Sequence, residues 1–262
     1  MLKIAAHLLV IVILTVLTQL GGVLYLLIYF ISGKLKLYLW KRMLLFLGAY
    51  LLFATVIIPH LAPVFGRKPL PLSGNLSPVS YLTCLLNRHY VSPELYDVLV
   101  DMSANYHEEY GVSVNYLDAN FPFFNGFPLM PHLSHNDGKK VDLAFSYNDA
   151  AGQMTEEVPS WIGYGIYDEP KVGEVDFPGI CAEKGYWQYG LLKWIIPIIE
   201  DYVVDAGRTS WIVTEIAQYD EVSKIFIEPH LKERWGFASN DKVRFHSCRA
   251  VRHDDHIHLQ IK

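Results

Sequence analysis

The closing segment His253-Asp-Asp-His-Ile-His-Leu-Gln-Ile-Lys262 sets three histidines within six residues and alternates the last of them with aliphatic side chains. A β-strand sends successive side chains to opposite faces. His256, His258 and Gln260 therefore share one face, and Ile257, Leu259 and Ile261 share the other. The aliphatic face needs a core to cover it, so the strand has to lie in a sheet backed by a second layer. The imidazole face has no such use. Histidine is uncommon and usually scattered, and this density on one strand face reads as a metal site.

The front of the chain is constrained differently. Ile4 to Gly33 is about 30 residues without a formal charge, and Met43 to Gly66 is about 24 with His60 as its one ionisable group. A bilayer core needs about 20 apolar residues in helical form, so each stretch is read as a transmembrane helix. A cleavable signal peptide has an apolar region of only about 7 to 15 residues before a small-residue cleavage site, a form neither stretch has. Lys34, Lys36, Lys41 and Arg42 lie between the two, with no acid. The positive-inside tendency then puts that loop in the cytoplasm and both chain ends outside.

Residues 1 to 68 carry seven basic and no acidic side chains, which leaves 15 basic against 27 acidic in the remainder, about −12. Such an outer domain is a poor partner for nucleic acid, whose phosphates are held by Lys and Arg. Cys84, Cys181 and Cys248 in an oxidising compartment allow one disulfide and one free thiol, with three pairings open.

Pro59, Pro63, Pro69, Pro71 and Pro78, with Gly66 and Gly74, make residues 67 to 80 an extended tether to a domain over 81 to 262. Leu95, Val98, Leu99, Met102 and Tyr106 have helical spacing within 93 to 110, between a Ser92 cap and Gly111. Val112 to Leu117, Val141 to Tyr147 and Trp211 to Ala217 read as strands, 186 to 203 as a core helix bent at Pro197, and Asp220 to Trp235 as a helix-containing segment broken at Pro229. Gln153 to Gly185 is long for a connection and is read either as a lid or groove wall over a site or as a plain surface excursion. Short strands and helices without a βαβ rhythm predict an α+β fold, an antiparallel sheet with flanking helices.

Histidines on a terminal strand need further ligands, and Ser134-His135-Asn-Asp-Gly138-Lys-Lys-Val-Asp142 places a His and an Asp seven apart. Gly138 lets the chain reverse, so that Asp142, early in the next strand, points back towards His135. A catalytic zinc keeps three protein ligands and an open position; His135, Asp142 and one terminal-strand histidine complete that set. Asp254 and Asp255 either orient the histidines or are solvated turn residues. His132 is a neighbour available to a second metal or a substrate and is left out of the ligand set. His107, His230 and His246 have no partner pattern and are read as structural or surface residues.

Ser134-His135-x-x-Gly138-x-x-x-Asp142 together with His253-x-x-His256-x-His258 resembles the penicillin-insensitive murein endopeptidases, within the lysostaphin-type, D-Ala-D-Ala and hedgehog-like zinc peptidase group. Lys224-Ile-Phe-Ile-Glu-Pro-His-Leu-Lys232 is similar as well, so the resemblance covers roughly residues 110 to 262 and excludes the apolar helices. It implies a hedgehog/D-Ala-D-Ala peptidase-like fold, zinc held by His135, Asp142 and His258, and His256 and His253 as catalytic neighbours, the general base and the stabiliser of the transition state. The function expected is that of a zinc metallopeptidase anchored in the bacterial cytoplasmic membrane by two helices. Its domain faces the outer side and cuts peptidoglycan crosslink peptides. A non-catalytic zinc module that binds wall peptides or a partner protein is the alternative. A transport or signalling protein fits less well, because the apolar stretches contain no ionisable group beyond His7 and His60.

Overall fold

Gln19 breaks the first apolar stretch. The computed structural model describes residues 2–189 and 202–262. In it the stretch forms two helices, α1 (Leu2–Thr18) and α2 (Gly21–Lys34), joined at Gln19 with φ +68°. At 1.5 Å per residue these 17 and 14 residues reach only about 26 and 21 Å. The expectation of two transmembrane helices is therefore corrected. Among the described residues one helix, Leu39–Phe65, is long and apolar enough to cross a membrane. It comprises α3 (Leu39–Leu52), a π-turn at Phe53–Ile57 and the turns to Phe65. Side-chain chemistry explains the break. The Gln19 carbonyl accepts the backbone N–H of Phe123 at 3.1 Å, and Thr18 Oγ1 accepts the N–H of Gly21 at 2.8 Å. Folding back at this elbow brings the first residues to the side of the basic Lys34–Arg42 loop, not to the domain's side.

Six strands form the main sheet: β1 (Leu76–Pro78), β2 (Val114–Tyr116), β3 (Lys140–Ala144), β4 (Val222–Phe226), β5 (Val243–Arg244) and β6 (His256–Ile261). Their order is β5-β4-β6-β3-β2-β1. The class is α+β. The three central pairings are antiparallel, as expected, but both edge pairings, β1–β2 and β4–β5, are parallel. A parallel pair needs a crossover, and each edge pair has a helix between its strands: α4 (Pro93–Tyr110) for β1–β2 and a short one at Pro229–Arg234 for β4–β5. With edge strands of two or three residues, neither unit has a visible βαβ rhythm in the sequence.

Ser92 accepts the N–H of Leu95 at α4's start and Gly111, with φ +72°, ends it, as its residues predict. Trp211 to Ala217, expected as a strand, is instead part of helix α5 (Ala206–Gln218), which starts with Asp205 accepting the N–H of Arg208. Its buried positions, Arg208, Thr209, Ile212, Val213 and Ile216, follow the helical repeat. The apolar run is short enough to pass for either period. The bent helix expected over 186–203 falls mostly outside the described residues; Trp187–Tyr189 form a 3-10 turn and Val203–Val204 a short strand.

Residues 67–80 are part of the domain. They supply β1, and Leu70 and Leu76 are buried in the main core. That core lies between the helices and one face of the sheet, where Val141, Leu143, Ile225, Ile257 and Leu259 meet Leu95, Leu99, Met102, Ile212 and Ile216. The β6 alternation thus holds, with Ile257 and Leu259 fully buried on the core side. Leu259→Ala removes the side chain packed at the sheet's centre and should cost about 2–5 kcal/mol. The urea unfolding midpoint checks this, and the metal-binding stoichiometry of the folded fraction should be unchanged.

Candidate metal centre

Sheet register builds the site. On the face away from the helices, His258 of β6 lies directly opposite Asp142 of β3, and His256 lies opposite Ala144. His135 arrives from the turn before β3. Gly138 there has φ +83°, a left-handed conformation that favours glycine, and the missing Cβ leaves room for the Arg67 guanidinium, which a Cβ would meet at 2.5 Å. Asn120 pins the turn, its Oδ1 accepting the Gly138 N–H at 3.0 Å and its Nδ2 donating to the Lys140 carbonyl at 2.7 Å.

Three ligand atoms converge. His258 Nδ1 is 2.9 Å from Asp142 Oδ1, His135 Nε2 is 3.1 Å from His258 Nδ1, and His135 Nε2 is 3.3 Å from Asp142 Oδ1. Zinc bonded at about 2.0–2.1 Å in tetrahedral geometry spaces its ligand atoms about 3.3 Å apart. The donor set fits on chemistry as well. His135 Nδ1 lies 2.7 Å from the Ala119 carbonyl, which can only accept, so that nitrogen carries the proton and Nε2 presents a lone pair. A lone pair facing a carboxylate oxygen in a dry interior is satisfied by a cation. His135 and Asp142 are both 0 % exposed. A second buried group, His132, Asp142 and His256, also brings its ligand atoms within 4.8 Å of one another. Its His132 lies on the other carboxylate oxygen, Nδ1 3.0 Å from Asp142 Oδ2, where the Tyr164 hydroxyl donates at 2.8 Å, and His256 Nε2 lies 3.8 Å from Oδ1.

The charges within the cluster are distributed unequally. Burial works to raise Asp142, but the imidazoles of His135, His256 and His132 outweigh it and hold the carboxyl well below its usual range. Burial lowers His258 to about 4, against the pull of Asp142, and burial with His256 and His258 alongside holds His253 well below its ordinary value. For His256 burial is overcome by Asp255 and Asp142, which raise it to about 9. The metal-free cluster therefore places its proton on His256, and a bound cation opposes that charge.

The structure brings together all five residues singled out in the sequence, His135, Asp142, His253, His256 and His258. Neither aspartate of the terminal motif is solvated. Asp255 accepts from His256 Nδ1 and from the Gly165 N–H, at 2.6 Å in the latter, and Asp254 pairs with Arg252. His253 lies beside the set, its ring centroid 5.0 Å from that of His256. Its backbone is clamped by Glu228, which accepts its N–H and donates its own N–H to its carbonyl. His246 packs between Phe226 and His253, while buried His230 bonds the Asp168 carbonyl and exposed His107 lies near Val112. Tyr164 and Asp118 were not visible as site residues, since they fall in irregular segments with no recurring spacing, and Glu228 lies in the Lys224–Lys232 stretch without having been singled out there.

Two cavities flank the cluster and share Pro131, His132 and Val251. One, about 260 Å³, is lined by Leu82, Trp161, Ile162, Tyr164 and Tyr167; the other, about 280 Å³, by Gln188, His246, Arg249, His253 and His258. The Gln153–Gly185 segment is thus a groove wall. Of the three possible pairings Cys181–Cys248 forms, tying the loop of Arg249 and Val251 to the helix at Phe177–Glu183, and Cys84 is free and buried. No protein-family model matches the chain, and no curated protein matches it.

Acid stability follows from the buried histidines, those of the cluster and His89, which is buried against Tyr90. His258 and His89, both lowered to about 4 chiefly by burial, stay neutral in the fold while their unfolded forms take protons from about 6.5 downwards, so their contribution is lost as pH falls from about 6.5 to 4. His256, raised to about 9, contributes fully below 6.5 and loses that contribution as pH rises through 9. The urea midpoint of the metal-free protein should accordingly peak between about pH 6 and 7, with a shallower acid limb in His89→Gln; a flat profile from pH 7 to 4.5 contradicts the assignment.

Proposed function

We propose that the chain is a membrane-anchored zinc peptidase that hydrolyses amide bonds in bacterial cell-wall crosslink peptides. The reading is carried by the convergence of His135 Nε2, Asp142 Oδ1 and His258 Nδ1 beside His256, whose buried Nε2 has no hydrogen-bond partner among the described residues. A bound zinc ion supplies Lewis acidity to the scissile carbonyl and acidifies the attacking water. Asp255 holds the proton on His256 Nδ1, which leaves Nε2 to take a proton from that water and later pass it to the departing amine. His253, on the same side of the cluster, stabilises the charge that develops on the carbonyl oxygen. The flanking cavities accept the peptide on either side of the cut bond, and Arg249 on one wall offers a partner for a stem-peptide carboxylate.

The anchor is the Leu39–Phe65 helix, with α1 and α2 folded beside it. Lys3, Lys34, Lys36, Lys41 and Arg42 gather at the end remote from the domain, which favours a cytoplasmic position for that end and an outer position for the site. The Cys181–Cys248 disulfide supports the same placement, because such bonds persist outside the reducing cytoplasm.

The full chain in detergent, incubated with crosslinked muropeptides and followed by mass spectrometry, should release uncrosslinked products and stop when chelated. His256→Ala should keep its zinc and lose about 10²- to 10⁴-fold in kcat. Stoichiometric zinc without cleavage of any wall peptide would instead identify a binding module.

A further inference from the structure

The geometry points to a second divalent-cation site built on His132, His256 and the Oδ2 oxygen of Asp142, so that the centre holds two cations bridged by one carboxylate. The two carboxylate oxygens face different sides of the cluster. Oδ1 faces His135 and His258, whereas Oδ2 lies 3.0 Å from His132 Nδ1. His256 Nε2 lies 3.8 Å from Oδ1 of the same carboxylate, and the three donors of the second group are within 4.8 Å of one another.

One unmet atom belongs to this site. His256 Nε2 is buried without a hydrogen-bond partner among the described residues, and with Nδ1 donating to Asp255 the neutral ring that remains once a cation is bound presents a lone pair there. Asp118 stands on the far side of the His132 ring, its Oδ2 3.9 Å from Nε2, and backs that ligand with negative charge. Arg88 neutralises part of that charge, bonding Asp118 Oδ2 at 2.7 Å. Two imidazoles and carboxylate oxygen select a borderline transition ion such as zinc or cobalt over calcium or magnesium. The Tyr164 hydroxyl, donating to Oδ2, competes with the cation for that oxygen.

A cation here occupies the lone pair that the proposed peptidase assigns to its base. Zinc beyond the first equivalent therefore inhibits; that consequence rests on the peptidase reading, whereas the stoichiometry does not. A simpler use of His132, donating a hydrogen bond that merely orients Asp142, gives different results in the same experiment.

The full chain in detergent micelles, stripped by chelator, is titrated with Zn²⁺ alone in a calorimeter and with Co²⁺ followed by electron paramagnetic resonance. Two zinc ions should bind, the second more weakly than the first, and the resonance per cobalt should fall as the second ion couples to the first through the shared carboxylate. His132→Ala should bind one zinc ion with first-site affinity intact, and Tyr164→Phe should tighten the second. One equivalent in the wild type overturns the proposal, and so do two in His132→Ala. Loss of both equivalents in folded His132→Ala overturns it too, because His132 then acts only by holding Asp142. A chain that binds two zinc ions yet cleaves no wall peptide leaves this site in place and removes the peptidase reading alone.

Discussion

A carboxylate with no solvent access stands in the middle of the sheet, and the site around it exists to satisfy it. Removing an unpaired carboxylate from water costs several kcal/mol even after the protein relaxes. β3 is buried along its whole length, so Asp142 has no route to solvent. What offsets the cost is a shell of imidazoles from two directions, His258 across the ladder and His132 and His135 from the preceding turn, together with the Tyr164 hydroxyl. The register that pairs His258 with Asp142 is fixed in turn by the opposite face, where Val141, Leu143, Ile257 and Leu259 have to meet the helices. A slip of one residue in β6 turns His256 and His258 into the core and Ile257 and Leu259 into the groove. Core packing and site geometry are therefore one constraint.

The outer shell is built from buried charge as well, and it orients groups that do not touch the ligand atoms. Gly165, in the long segment between β3 and α5, fixes Asp255 and through it the ring of His256. The next residues of that segment continue the attachment, since the Asp168 N–H bonds the Asp254 carbonyl and the Arg252 guanidinium stacks on Tyr167 at 3.8 Å. Burial raises Glu228 to about 7 even as it accepts from the His253 N–H and from Tyr189. A clamp of such modest acidity keeps its acceptor role without adding a full buried negative charge beside the histidines.

The candidate ligands were legible because each sat in a local pattern with a short-range physical meaning. The alternation of β6, the His135–Asp142 interval across Gly138 and the capped α4 are all decided within a few residues, and each is present in the fold. Features decided by distant partners were not legible. The α5 run Trp211 to Ala217 fits two periods, and what selects the helix is the Asp205 cap together with a core supplied by α4. Gln19 interrupts an apolar stretch because of a backbone amide more than 100 residues away, at Phe123, which no window of sequence contains. Tyr164 and Asp118 enter the site from irregular chain, where spacing carries no signal.

That distant bond also changes what the front of the chain does. The loop that starts at Phe121 and ends in His132 and His135 is held from beneath by the apolar helices: Gln19 takes the Phe123 amide, Phe65 packs edge-on against Phe123 and Phe124, and Arg67 bonds Asn125 while its guanidinium lies under Gly138. Asn87, just after the helix at Tyr81–Leu85, donates through Nδ2 to the Thr18 carbonyl at the elbow, and the Tyr50 hydroxyl of α3 donates to the carbonyl of Leu85. A boundary drawn at residue 80 would strip Arg67 from the His135 turn, β1 from the sheet edge, and Leu70 and Leu76 from the core. Such a fragment keeps every ligand residue in its sequence but loses the supports that hold the His135 turn against the sheet. The apolar helices and the candidate metal site are therefore mechanically joined, and the smallest unit that keeps these supports includes the elbow at Gln19.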